Sequence, residues 1–99
     1  MNIAGGIKIN EPAVDLGIVM AIVSSFRNRA IDDKVIAFGE VGLSGEVRAV
    51  SQVISRVSEA KKLGFTTCII PESCVDAVKE IKGIKIIGVR SVAEAVELF

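Results

Sequence analysis

Few side chains in this sequence could do chemistry. The 99-residue chain contains no histidine, so a Ser-His or Cys-His nucleophilic pair cannot be built within it. A Ser-Lys dyad or a pair of acids remains the familiar route to hydrolysis. Glu11 and Asp15 are near neighbours, but carboxylates at the start of a helix are favoured by its exposed amides and dipole. No serine follows a sharp nucleophile turn, and Ser51 is better explained as a helix N-cap.

Nucleotide and metal sites find no support either. The sequence lacks both the G-x-x-x-x-G-K-[ST] loop and the G-x-G-x-x-G turn that bind phosphates. Its two cysteines, without histidine, are too few for a four-ligand zinc site. We expect Cys68 to be a core residue and Cys74 to be a reduced thiol near a helix start. No cofactor is therefore expected in this domain.

The composition describes one folded domain of balanced charge. The hydrophobic fraction is 51%, which suits a single core. Twelve basic residues balance twelve acidic ones, so any nucleic-acid contact must come from a local patch, and the lack of Trp and Tyr argues against base stacking. The longest apolar stretch, residues 18–23, is far shorter than the roughly 20 residues that a bilayer requires. With no secretory pattern at the N-terminus, we expect a cytoplasmic protein with no membrane partner.

The elements follow from hydrophobic periodicity. The pattern predicts an α/β (α+β) fold, a mixed sheet covered by helices in the order βαββαβαβα. Helix ends are marked by Pro12, by Gly64, and by the capping-box spacing of Ser73 with Asp76 and of Ser91 with Glu94. The predicted strands are 2–9, 35–38, 46–50, 67–70 and 85–87, and the predicted helices are 13–27, 52–63, 74–81 and 92–98.

Two segments carry further expectations. The first helix has almost no polar face through its middle, so it should be covered by the sheet on one side and by a second helix or a neighbouring subunit on the other. Evenly spaced glycines between Gly39 and Glu46 predict a turn that joins two antiparallel strands. Arg27 and Arg29 follow the first helix; they could reach phosphates or offset the negative end of the helix dipole, and we favour the second role for one of them.

Three motifs resemble the proteolytic domain of Lon. They are residues 10–15 (NEPAVD) before an apolar helix, residues 38–47 (FGEVGLSGEV), and residues 60–65 (AKKLGF) at the end of an amphipathic helix. That family carries D-G-P-S-A-G at the first motif and T-G-E-I-x-L-x-G-x-V before the second helix, which supplies a lysine. In this register the nucleophilic serine falls on Ala13 and the lysine on Ile54. The resemblance implies a Lon-protease-like fold in which both members of the dyad are missing.

The chain is more similar still to the RadA/Sms family of DNA-repair proteins, whose C-terminal domain looks like that of Lon and lacks the dyad. Segments 4–9 (AGGIKI), 24–28 (SSFRN) and 38–43 (FGEVGL) carry this similarity, which covers essentially the whole chain. It implies that residues 1–99 form one C-terminal domain of a larger DNA-dependent ATPase. That parent protein would bind ATP, Mg and Zn outside this domain and form a hexameric ring on branched or single-stranded DNA during recombination.

The implied arrangement adds candidate DNA contacts. Lys8 and Arg48 alternate with apolar neighbours in predicted strands and would run toward the emptied active site, where they could form a small basic patch for phosphates. The competing interpretation is that Lys8 and Arg48 are simply solvated charges on the strands. Arg56, on the polar side of the second helix, ranks lower. The candidates are Lys8, Arg27, Arg29, Arg48 and Arg56. The alternative functions are an oligomerisation scaffold that touches no DNA and a Ser/Lys-type peptidase, for which we find no nucleophile.

Overall fold

The computed structural model describes residues 2–3, 7–8 and 11–98, the first two pairs through their backbone only. The strands are β1 (Asn2–Ile3), β2 (Ile7–Lys8), β3 (Val35–Ala37), β4 (Glu40–Val41), β5 (Val47–Arg48), β6 (Thr67–Pro71) and β7 (Lys85–Val89). The helices are α1 (Asp15–Arg27), α2 (Val53–Lys62) and α3 (Val92–Val96). Short 3-10 turns occupy Pro12–Val14, Glu72–Cys74 and Asp76–Val78.

A three-stranded parallel sheet in the order β3-β6-β7 forms the centre. Side chains alternate between its two faces. On one face, Cys68 and Ile70 of the sheet pack against Val57 and Ala60 of α2. The other face packs against α1 and α3. This confirms the predicted mixed α/β architecture with helices on the sheet. The antiparallel pairs β1-β2 and β4-β5 are separate two-stranded sheets, so the predicted mixed sheet is instead a parallel sheet with added hairpins.

The β4-β5 hairpin confirms the turn predicted from the glycine spacing. Val41 pairs with Val47, and the Gly42 amide donates to the Glu46 carbonyl at 2.9 Å. Each strand has only two residues, and backbone hydrogen bonds connect the hairpin to residues near the C-terminal end of the chain. The Val47 amide donates to the Arg90 carbonyl at 2.8 Å, and the Val92 amide donates to the Gly45 carbonyl at 2.8 Å.

Helix α1 packs by one side against the rest of the described chain. Leu16 and Met20 are buried against the sheet and α3. On the outer surface, Ile22 is 51% exposed and Phe26 is 87% exposed. The expected packing of α1 against the sheet is confirmed, whereas among residues 11–98 the Ile22 and Phe26 side chains stay largely uncovered.

Helix α2 ends where glycine predicted it. Gly64 has a φ of 98°, and its amide donates to the Lys61 carbonyl while the Phe65 amide donates to the Ala60 carbonyl. These two bonds form a Schellman motif, which satisfies carbonyls that would otherwise be unpaired. The start of α2 was predicted wrongly: its N-cap position is Gln52, not Ser51, and no side chain caps it.

Two predicted elements differ from the structure. Segment 2–9 is an antiparallel pair, β1 and β2, rather than one strand. The predicted helix over 74–81 is wrong: short 3-10 turns, which are frequent connectors, follow β6 and bury Cys74 and Val78 in the core.

One of the two predicted capping boxes forms. The Ser91 hydroxyl accepts from the Glu94 amide at 3.2 Å, which caps α3. The spacing of Ser73 and Asp76 gives no capping bond.

Candidate functional site

Ala13, the residue that takes the serine position in the resemblance to Lon, lines a cleft of about 240 Å³, which we call the Ala13 cleft. Its lining comes from the turn before α1, from the β4-β5 hairpin and from the start of α2. The lining residues are Glu11, Pro12, Ala13, Glu40, Ala49, Val50, Ser51 and Arg56. Three separate chain segments therefore meet around Ala13.

Backbone hydrogen bonds hold Ala13 against the end of β3. The Gly39 amide donates to the Ala13 carbonyl at 2.9 Å, and the Leu16 amide donates to the Gly39 carbonyl at 3.0 Å. A Cβ atom at position 39 would lie 2.8 Å from Val47 Cγ1 and 3.3 Å from Leu16 Cβ, so only glycine fits without displacing its neighbours. Ala13 itself is buried.

Arg56 forms an ion pair across the cleft. Its Nη2 donates to the Glu11 carboxylate, and its Nε donates to the Ser51 carbonyl at 2.8 Å. The Arg56 side chain is only 20% exposed, so little of it faces water. The guanidinium therefore links α2, the loop before α2 and the chain leading into α1.

Arg48 lies between two carboxylates at the hairpin. Its Nη2 is 2.8 Å from Glu46 Oε2, and its Nη1 is 3.4 Å from Glu40 Oε1. The hydrogen bond from Arg48 is the largest cause that lowers the pKa of Glu46, and the bond to Glu46 is the largest cause that raises the pKa of Arg48. A phosphate approaching Arg48 must compete with both carboxylates.

The lysine position of the dyad is not part of the cleft lining. Ile54 is the second residue of α2 and is half exposed, whereas Ala13 is buried. Among the described lining residues, Ser51 supplies the hydroxyl group, and no hydrogen bond from that hydroxyl to a base is present. This set of groups can hold a charged partner but presents no activated nucleophile.

The sequence candidates for DNA contact fall into separate places. Arg48 and Arg56 are at the cleft and are ion-paired. Arg27 is at the other end of α1 and donates to the Val96 carbonyl at 3.2 Å, and Arg29 follows it on the surface. The side chain of Lys8 lies outside the described residues.

Sequence reasoning missed the carboxylate partners of the arginines. Glu46 and Arg48 are two residues apart in an extended segment, a spacing that places both side chains on one face. That signal was available, and it predicts a pair rather than a lone cation. The contact of Glu11 with Arg56 joins residues 45 positions apart and has no sequence signal.

The part of the chain that the structure describes contains no group of three or more acidic or cysteine side chains placed to hold a metal. Cys68 is fully buried as predicted, and burial raises its pKa to about 12. Cys74 is buried as well. None of the described helices has the length and apolarity needed to cross a bilayer.

Comparison with known proteins places the chain in a family. Residues 1–74 match the family described as Subunit ChlI of Mg-chelatase. The chain is 52% identical over 95 residues to the DNA repair protein RadA of Bacillus subtilis, 45% identical over 96 residues to that of Synechocystis, and 40% identical over 99 residues to that of Escherichia coli.

These alignments cover 96%, 97% and 100% of this chain but 21%, 19% and 21% of the relatives. The chain therefore spans about a fifth of the length of the curated relatives it matches. The RadA part of the resemblance is confirmed by these homologues, and the Lon-like part stays a prediction. Since the family match extends over three quarters of its residues, the chain belongs to the family of the Mg-chelatase subunit ChlI, with proteins named DNA repair protein RadA among its relatives.

Proposed function

We propose that this chain is a non-catalytic domain of a RadA-type DNA repair ATPase, in which it contributes to DNA binding and to assembly of the ring. The observation that carries the proposal is the Ala13 cleft. Ala13, which takes the position of the nucleophile in the resemblance to Lon, is buried, and the cleft is bridged by the Glu11–Arg56 ion pair. This arrangement supports a site that keeps a cleft without a nucleophile.

The relatives support the DNA-repair part of the proposal. They carry the name DNA repair protein and are about five times longer than the chain, which leaves room for a RecA-like core that binds ATP and Mg and for a zinc motif. The sequence immediately upstream of this chain in its parent protein is the first check. A phosphate-binding loop and a cysteine-rich zinc motif are expected there.

The DNA contact is tested by crosslinking in the full-length protein. DNA that carries photoreactive groups along its backbone is bound and irradiated, and the crosslinked peptides are mapped. Peptides from residues 1–99 are expected among them. If all crosslinks fall outside this chain while the protein still binds DNA, the DNA-binding part of the proposal is wrong.

The cleft candidates are tested by charge removal. The double change Lys8→Gln and Arg48→Gln in the full-length protein reports on the predicted basic patch. If that patch contacts phosphates, affinity falls and the salt slope becomes shallower by about 0.9 per contact on duplex DNA. An unchanged affinity and slope would exclude both residues as contacts.

A scaffold role without DNA contact is the second candidate, and α1 favours it. Phe26 and Ile22 are four residues apart on one face and expose large apolar side chains. If this face packs against a neighbouring subunit, Phe26→Glu lowers the oligomeric state of the full-length protein in sedimentation. Leu43→Glu, at the exposed tip of the hairpin, is the matched control. Equal sedimentation of both variants and the unchanged protein would exclude this face.

A further inference from the structure

Five lysines lie at one edge of the molecule, where the parallel strands begin. Lys34 precedes β3, and Lys85 is the first residue of β7. Lys61 and Lys62 end α2, which leads directly into β6, and Lys82 lies in the connection before β7. We call Lys34, Lys61, Lys62, Lys82 and Lys85 the lysine edge. Because β3, β6 and β7 are parallel, their amino ends share this edge.

Backbone bonds fix these residues relative to one another. The Thr66 amide donates to the Lys34 carbonyl at 2.9 Å, and the Lys85 amide donates to the Thr66 carbonyl at 2.9 Å. A Cβ atom at Gly83 would lie 3.3 Å from Lys61 Nζ, so the end of α2 touches the connection that carries Lys82. The lysines are therefore adjacent through space although they span 52 positions of sequence.

The lysine edge differs in charge pairing from the Ala13 cleft. All five lysines are exposed, and none has a carboxylate oxygen within 4 Å among the described residues. The acidic residues near these lysines in sequence are Asp32, Asp33, Glu59, Asp76 and Glu80, and Asp32 accepts a hydrogen bond from the backbone amide of Lys34.

Arg27 and Arg29, at the end of α1, extend the basic side of this edge. At the opposite end, the acidic residues around the cleft and the carboxyl ends of the strands outnumber the three arginines there. Those acids are Glu11, Asp15, Glu40, Glu46, Glu72 and Glu94, and the arginines are Arg48, Arg56 and Arg90. The lysines of the edge, which have no ion-pair partner among the described residues, and the ion-paired arginines of the cleft therefore lie at different ends of a chain of zero net charge.

We infer that the lysine edge is the surface by which this domain contacts the DNA backbone, an inference that rests on the proposed function and names its surface. The ammonium group of lysine, on its flexible side chain, binds phosphates as a point charge and does not distinguish one DNA sequence from another. Phe65, the aromatic residue of these connections, packs into the core, so phosphates rather than bases are the partner.

The size of the edge suits several phosphates. Strands about 4.8 Å apart make a three-stranded edge about 10 Å wide, and duplex DNA carries one charge per about 1.7 Å of axis. Since the charges of a single strand are about 3.4 Å apart, the edge faces about three phosphate charges of one strand before the end of α2 is counted. Arg48 and Arg56, which are already bound to carboxylates, offer less to such a ligand.

The test compares three double variants of the full-length protein, each of which removes two positive charges. They are Lys34→Gln with Lys82→Gln at the lysine edge, Lys8→Gln with Arg48→Gln at the predicted patch, and Lys79→Gln with Arg90→Gln as the matched control. DNA affinity is measured by fluorescence anisotropy from 0.05 to 0.3 M salt, and thermal unfolding confirms that each variant is folded.

The edge variant is expected to lose about 30-fold in affinity at 0.15 M salt and about 1.8 in salt slope, as two lost phosphate contacts predict. The control variant should match the unchanged protein. If the edge variant binds normally while the Lys8 and Arg48 variant is weakened, the inference is overturned and the proposed function stands. If the edge variant binds normally and no crosslinks fall in residues 1–99, the inference and the DNA-binding part of the proposed function are both overturned.

Discussion

Arg56 is expected to stabilise the domain by connecting the three segments around the Ala13 cleft. Arg56→Ala removes the pair with Glu11 and the bond to the Ser51 carbonyl at 2.8 Å. An ion pair with an exposed partner contributes about 0.2–1 kcal/mol, and a hydrogen bond to a carbonyl contributes about 1 kcal/mol. The packed stem of a side chain that is only 20% exposed adds to this sum.

The expected loss is therefore about 2 kcal/mol, or about 8–16 °C in the melting temperature of a domain of this size. Urea unfolding of Arg56→Ala, Glu11→Ala and the double variant gives the coupling free energy between the two side chains. We expect Glu11→Ala to cost less than Arg56→Ala, because it leaves the bond to Ser51 in place. The coupling should be about 0.5–1 kcal/mol and should shrink in 1 M salt.

Arg90→Ala is the matched control. Arg90 is exposed, and in the described part of the chain its side chain makes no hydrogen bond or ion pair, so its loss should change stability by less than about 0.5 kcal/mol. The reasoning is refuted if Arg56→Ala costs no more than Arg90→Ala, or if the effects of Glu11→Ala and Arg56→Ala are simply additive.

Three further predictions concern the backbone, the thiols and pH. Gly64→Ala should cost about 1–2 kcal/mol in urea unfolding because of its positive φ, and Gly64→Asn should cost less; equal stability of all three would contradict this. Cys68 should react with a thiol reagent at pH 8 only as fast as the domain unfolds. The variant Cys74→Ala leaves Cys68 as the thiol that is labelled. Fast labelling of Cys68 in the folded domain would contradict its burial. Arg48 lowers the folded pKa of Glu46, so the pair stabilises the domain above the ordinary pKa of 4.5, and this stability is lost as pH falls through the lower folded value. The melting temperature of Glu46→Gln should therefore depend less on pH between pH 6 and 3. A pH profile identical to that of the unchanged protein would exclude this contribution of the pair.

Local signals predicted the helices and the hairpin well. The start of α1 after Pro12, the end of α2 at Gly64 and the turn between Gly39 and Glu46 depend on backbone preferences within a few residues. The helix predicted over 74–81 failed because its side chains fit a short connection between adjacent parallel strands better as 3-10 turns.

The site was predicted less completely because it depends on long-range contacts. Ala13, the serine position in the motif register, lines a cleft, but the register did not show that Arg48 and Arg56 face carboxylates. The lysine edge was missed for the same reason. Lys34 and Lys82 are far apart in sequence, and only the parallel order of the strands brings them to one edge.

The backbone hydrogen bonds between the β4-β5 hairpin and residues 90–92 also have a consequence for folding during biosynthesis. Two-residue strands cannot persist alone in water, and their outside support comes from residues more than forty positions later in the chain. On the ribosome, the wall of the Ala13 cleft that carries Glu40 is therefore completed only after β7 has emerged. A nascent chain stalled before residue 90 would have the sequence of the cleft without its shape.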